Sequence, residues 1–427
     1  MYYNLPLFHC NVKIWRYIGF IEYENVYRII PIMIIVLLTI ICEFLHCFVV
    51  RQDLGFLILS LFMVAILLNS FIRIVIVMKN HKKFIKFMKV IESWYKEAEL
   101  TNDIAAWSIL NKLPKRTEAI SKFGLIFGSF GGVVTAIIPL LLSHPHPYSV
   151  YIIGLDALKS PLYEIIYFVQ MSVLMPFIIC TYIPFTNLFI TWLIFGIHIL
   201  QVLRKKFEQL PGSNDPDQLR SLKALIKYHK RIIRYGESLE DLVSHVCFVE
   251  LLLFTTMLSI LLICLLLVDD IMFQVATVVY IICILYVLFL SYWHANEYSS
   301  ESVKIADAVY SIDWTSSSIE VRKCVLILLM RCQTSLKISA GGMYPMTLEA
   351  FQVLLNAAYT YFNMARGWRE LLSAVDAETH VCVDKISTIE CVKAVVRHNF
   401  LKMYLPYVRK NHTQFIVSKV LMGEAPH

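Results

Sequence analysis

Apolar residues in this chain gather in seven long runs, not in the short periodic clusters of a soluble domain. The runs lie at about residues 27–50, 54–78, 123–142, 165–199, 246–268, 272–293 and 346–365. Each approaches or exceeds the roughly 20 residues that a helix needs to cross hydrocarbon. The fourth is overlong and holds Pro176 and Pro184, which predicts a kinked helix continuing past the bilayer. Residues 82–100 and 219–243 alternate apolar and basic positions at helical spacing, for example Leu222, Leu225, Ile226, Ile232 and Ile233. These predict helical extensions that project into the cytoplasm and pack together, with a turn cluster between them at residues 211–216. The expected fold is an all-α membrane protein of seven transmembrane helices with cytoplasmic helical extensions.

The last run has its own pattern. A charged helical stretch runs into Gly341 and Gly342, breaks, and passes Pro345 before the apolar segment begins. Glycine adds backbone freedom and proline removes an N–H, so two helices joined by a hinge are expected. On the second helix Gln352, Asn356, Tyr359 and Asn363 follow at spacings of four, three and four. That spacing puts amides and a hydroxyl in one stripe on an otherwise apolar cylinder. In a membrane the stripe is either interhelical hydrogen bonding or the wall of a water-filled path.

Composition agrees with the pattern: 58% of residues are hydrophobic, 17% are charged, and the mean hydropathy is +0.63. The net charge of +7 is distributed as membrane topology requires, and does not point to nucleic acid. Ten Lys and Arg fall across residues 79–122, nine across 204–234 and five across 304–337, whereas the alternate loops hold only Arg51 and Lys159. The positive-inside rule then places the N-terminus in the cytoplasm and, after seven crossings, the C-terminus outside. The first run is too long for a cleaved leader and reads as an anchor.

That orientation is the reverse of a G-protein-coupled receptor. The third run also lacks an Asp-Arg-Tyr ending, and the seventh lacks Asn-Pro-x-x-Tyr. Eleven scattered cysteines without a C-x-x-C pair suggest neither a metal nor a redox centre, and His144 with His146 is too few ligands for one. No catalytic set or nucleotide fingerprint stands in a plausible context, so no enzyme and no cofactor is expected. Several ionisable residues within spans stand out. Glu43, His46 and Glu250 are functional candidates or snorkelling side chains, and Arg73 reads as a snorkelling anchor.

Several segments carry a resemblance. One is Ser160-Pro161-Leu162-Tyr163-Glu164, another is Lys227-Tyr228-His229-Lys230-Arg231-Ile232 with Glu240-Asp241. The most specific runs from Asn296-Glu297 through Ala306-Asp307-Ala308-Val309-Tyr310, Asp313-Trp314 and Leu328-Leu329-Met330-Arg331-Cys332-Gln333 to Met364. Over about residues 10–365 the chain resembles an insect odorant receptor of the tuned, odour-specific kind. It lacks the long insertion in the second cytoplasmic loop that marks the odorant co-receptor. A gustatory receptor shares the architecture, but Thr360-Tyr361 is followed here by Phe-Asn-Met-Ala-Arg, which departs from that family's ending. A membrane transporter is the remaining alternative, and the inverted repeats it would show are not evident.

The resemblance implies a ligand-gated cation channel in the plasma membrane of an olfactory neuron, forming a heterotetramer with the co-receptor. Residues 1–26 would be a cytoplasmic segment, 27–365 the channel domain and 294–345 the cytoplasmic anchor within it. The last helix would line the pore with Gln352, Asn356, Thr360 and Asn363, narrowing at a hydrophobic gate at Met364. A small volatile odorant would sit in the outer half among the second, third, fourth and sixth spans. Met63, Thr135, Tyr148, Phe168, Met171, Met175 and Tyr280 are the candidates there, because such a pocket is mainly apolar with a few polar anchors. Residues 367–427 depart from the family, whose members stop soon after the last helix. They are expected to be either an extracellular tail, with a sequon at Asn411-His412-Thr413, or coding sequence read past a splice site.

Overall fold

The computed structural model describes residues 7–20, 26–51, 54–101, 103–141, 148–210, 217–267 and 271–378. The expectations placed on residues 211–216, on His144 and His146, and on 379–427 lie outside them. The described chain is helical almost throughout. A short α1 (His9–Ile18) precedes α2 (Val26–Val49) and α3 (Leu54–Lys79). Next come α4 (His81–Leu100), α5 (Ile104–Leu110) and α6 (Leu113–Leu141). The overlong fourth run is α7 (Leu162–Val169), a π-helical turn Gln170–Leu174, and α8 (Met175–Glu208). The chain continues as α9 (Gln218–Leu267), α10 (Ile271–Tyr310) and α11 (Ile319–Cys332). Two short strands, β1 (Ser339–Ala340) and β2 (Tyr344–Pro345), lead to α12 (Leu348–Glu378).

Among the described residues six helical segments are long and apolar enough to cross a membrane: Ile29–Val49, Leu57–Lys79, Ala106–Ile137, Leu162–Glu208, Gln218–Leu266 and Gln274–Tyr310. The helix α12 falls short of the same hydropathy because polar residues recur along it. The spans α8, α9 and α10 run without a break into the expected cytoplasmic extensions, and there α4, α5 and α11 pack around them.

The helix α8 is the axle of the bundle. Its side chains from Ile183 to Ile197 are all buried, because α1, α3, α5, α6, α9 and α10 surround it. Two prolines shape it. Pro176 cannot supply an N–H to the carbonyl four residues earlier, and the turn just upstream widens to π geometry, with Met175 N–H donating to Gln170 O. Pro184 likewise leaves the Cys180 carbonyl without its helical donor. The indole N–H of Trp15 on α1 takes that carbonyl at 3.1 Å. So α1 is docked into the bundle, held also by Asn11 Nδ2 donating to Ser121 Oγ at 2.9 Å.

The inner half of the bundle is filled by rings. Trp192 lies 5.7 Å from Phe84 and 5.4 Å from Phe87, and Phe87 stacks on Tyr235 at 5.0 Å. Tyr235 O–H donates to the Trp192 carbonyl at 2.7 Å, which satisfies its polar end. Nearby His229 on α9 is buried with its Nδ1 3.9 Å from the Cys332 thiol. Burial, aided by the Arg331 guanidinium, holds its imidazole down to about 4.

The expected hinge is more ordered than a bare break. The helix before it ends at Cys332, and the glycines instead turn an antiparallel hairpin that pairs Ser339 with Pro345 and Ala340 with Tyr344. Gly341 and Gly342 both have positive φ, 65° and 71°, which a side chain would strain. Their N–H groups donate to the Ser244 carbonyl and hydroxyl on α9, each at 3.0 Å. A Cβ on Gly341 would also stand 2.9 Å from the Phe248 ring. The hairpin is therefore a clasp on α9, and Thr347 caps α12 behind it by accepting from Ala350 N–H at 3.2 Å.

Candidate functional site

A cavity of about 180 Å³ opens in the outer half of the bundle between α3, α6, α8, α9 and α10. On its α6 side the wall is largely glycine, against which side chains of α8 pack closely. Gly124, Gly128, Gly131 and Gly132 all line it. A Cβ on Gly128 would stand 1.8 Å from the Ile183 Cδ1 atom, and one on Gly124 would crowd the Asn187 amide at 2.9 Å. The spacing of these glycines is readable in the sequence as one helical face, and it was a signal that the pattern of apolar runs concealed.

The cavity brings together Met63, Thr135, Tyr148, Met175 and Tyr280. It does not include Met171, which is half-buried against the core, or Phe168, which is 70% exposed on the outside of the bundle. Tyr148 roofs it from the outer loop. Gln170 on the π turn grips the Tyr148 backbone, donating to its carbonyl at 2.7 Å and accepting from its N–H at 3.2 Å. The Tyr148 ring is thereby held over Met175, with its hydroxyl 3.8 Å from the Met175 sulfur. Thr135 donates to the Gly131 carbonyl at 2.9 Å, so Tyr280 O–H donates to Thr135, also at 2.9 Å. The pair thus turns oxygen lone pairs, not a spare proton, toward the cavity. Asn69, Asn187 and Thr186 add polar groups in a wall otherwise built from Phe62, Phe127, Ile178, Phe254 and similar side chains. Such a lining suits a small ligand with an apolar body and a few polar contacts.

Behind that wall lies a charged pair. Arg73 is buried, and it forms an ion pair with Glu250 on α9. Its other terminal nitrogen donates to the Tyr182 carbonyl at 2.9 Å, and its guanidinium lies 4.0 Å from the Tyr182 ring centre. Arg73 therefore does not snorkel; a partner on a distant helix keeps it inside. Glu43 is fully buried in α2, and His46 Nδ1 lies 3.2 Å from Ser60 Oγ.

On α12 the polar stripe points away from the chain's own bundle. Gln352, Asn356, Tyr359 and Thr360 are exposed, Asn363 is half-buried, and Met364 is 36% exposed. The opposite face holds Ala350, Leu354, Ala358 and Tyr361 against α9 and α10. Within the stripe Thr360 Oγ1 donates to the Asn356 carbonyl at 2.7 Å.

A family model described as 7tm Odorant receptor matches residues 53–359. The chain belongs to the insect odorant receptor family. This odorant receptor is 34% identical to odorant receptor 10 of Aedes albopictus, with 85% of this chain and 98% of that protein covered. It is 30% identical to odorant receptor Or2 of Anopheles gambiae, covering 84% and 97%, and 27% identical to odorant receptor 30a of Drosophila melanogaster, covering 85% and 97%. Among solved structures it is similar to the olfactory receptor OR5 of Machilis hrabei in complex with eugenol. That likeness has a TM-score of 0.71 at 17% identity over 81% of this chain and 90% of that one. The shared fold is the seven-helix membrane architecture, so α12 joins the six apolar helices as a span and the receptor is a multi-pass membrane protein.

Proposed function

We propose that this odorant receptor is a subunit of a ligand-gated, non-selective cation channel that it forms with the odorant co-receptor in the plasma membrane of an olfactory neuron. The observation that carries the reading is the outward polar face of α12. A membrane helix turns amides and hydroxyls away from its own bundle only where water or another subunit receives them. Gln352, Asn356, Thr360 and Asn363 would line the path. Met364 would close it, because a ring of apolar side chains shuts a narrow pore by expelling water. A partner subunit is also supported by the anchor, where Ile319, Ile327 and Met330 stand 67%, 70% and 74% exposed on α11, beyond the expected spans.

In this reading the ligand is a small volatile molecule held in the outer cavity by Met63, Thr135, Tyr148, Met175 and Tyr280. A ligand of this size gains about 25 cal/mol per Å² of apolar surface it buries. That places affinity near micromolar, or about −8 kcal/mol. Gly341, Gly342 and Pro345 form the joint through which α12 would tilt. The test is whole-cell current during exposure to an odorant panel, with the chain expressed alone and with the co-receptor. An odorant-evoked cation current that requires both chains is expected. Surface expression of both chains with no response to any compound would overturn the reading.

A further inference from the structure

Arg73 has two jobs in one rigid group. One end of its planar guanidinium is fastened to α8, at the Tyr182 carbonyl at 2.9 Å and within 3.5 Å of the Thr186 hydroxyl. Both Tyr182 and Thr186 line the cavity, so this end is tied to the cavity wall. The other end is paired with Glu250 on α9. About 9 Å further along α9, at its rise of about 1.5 Å per residue, Ser244 receives both clasp amides. Phe248, between them, lies under Gly341. The clasp leads directly into α12.

Stability alone is a weak reason to keep such a pair. Taking two charges out of water costs about as much as their attraction returns, and apolar replacements of similar volume often do as well. A planar fork held by two different helices transmits displacement, because neither end can move without turning the other. We propose that the Arg73–Glu250 pair is the link through which a displacement of the cavity wall at Tyr182 reaches the glycine clasp at the head of α12. The proposal rests on reading the cavity as the ligand site and α12 as the pore wall. A competing route exists on the same helix, since Phe254 and Met257 of α9 also line the cavity and could press on α9 directly.

The two routes separate in a measurement that reads no current. Hydrogen–deuterium exchange at the Gly341 and Gly342 amides reports the clasp, in the full chain in lipid nanodiscs. Gly128→Ala serves as the push on the wall, because its Cβ meets Ile183, the neighbour of Tyr182, at 1.8 Å. In the parent background Gly128→Ala should change clasp exchange by about threefold or more. In the Arg73→Met/Glu250→Leu background the change should vanish, and in the exchanged pair Arg73→Glu/Glu250→Arg it should return. Glu250→Gln, the mildest variant, should weaken the change and covers the case in which the apolar pair does not fold. An equal change with and without the pair, or no change in the parent, overturns the proposal. Failure of the channel reading shows instead as absent odorant-evoked current, and it leaves the exchange result standing.

Discussion

The two ends of this bundle use the same helices to opposite effect. In the inner half α8 is wrapped in rings, with Trp192 wedged against Phe84 and Phe87. In the outer half α8 faces the glycines of α6, and about 180 Å³ is left empty. Protein interiors normally pack as densely as organic crystals, and a void forfeits dispersion contacts on every side. A bound ligand, as proposed here, would supply the missing contacts. On the proposed reading, the filled end fixes helix positions and the end with the cavity is where a small ligand would move them.

The largest expected contrast comes from deleting bulk at each end. Trp192→Ala should cost about 3–5 kcal/mol of stability by opening a hole in a filled core. Met63→Ala, at a wall already beside empty space, should cost less than half as much. Thermal unfolding of the purified receptor checks both, and equal losses would break the comparison.

Adding bulk should sharpen it. A Cβ at Gly196 stands 2.7 Å from the buried Tyr298 ring, so Gly196→Ala should cost about 1–3 kcal/mol. At Gly132 the nearest atoms are the flexible ends of Ile179 and Met175, at 3.0 and 3.5 Å. Gly132→Ala should therefore cost under about 1 kcal/mol, and should show itself as a changed odorant dose–response instead.

A smaller effect belongs to the filled end alone. His229 is neutral when docked, with its pKa held down to about 4, whereas an unfolded histidine titrates near 6.5. Its contribution is fully present above about pH 6.5 and is lost as pH falls toward 4, amounting to about 1 kcal/mol by pH 5.5. Lower protection factors for the α11 amides at pH 5.5 than at pH 7, after correction for the slower intrinsic exchange in acid, are the expected result, with the difference flattened by His229→Leu. The smallest effect is at Phe168, which lies outside the cavity. Phe168→Ala should leave stability within about 0.5 kcal/mol and odorant sensitivity unchanged.

The long apolar runs made six spanning helices legible, because a hydrocarbon layer imposes length and composition on a helix before any packing is known, whereas α12 falls short of that composition and joins them through the shared fold. The stripe on α12 was legible for the same reason, as period and polarity are both local. What could not be read depends on meetings between distant segments. Arg73 finds Glu250 only when α3 and α9 lie side by side, and Trp15 finds the Cys180 carbonyl only because Pro184 has left it vacant. The break before α12 was visible as glycine and proline, but the hairpin found there is held by Ser244 from another helix. Of the cavity candidates, the ones that face inward could not be told from Phe168, since which side of a span faces lipid is decided by its neighbours.

The most direct test of the channel account is cysteine accessibility along α12 in cells expressing this receptor with the co-receptor. Asn356→Cys and Thr360→Cys should react with a small cationic thiol reagent during odorant application, and the evoked current should fall as they do. Leu354→Cys, on the buried face, should not react. Protection of both stripe positions while current flows, or equal reaction at Leu354→Cys, would contradict the account.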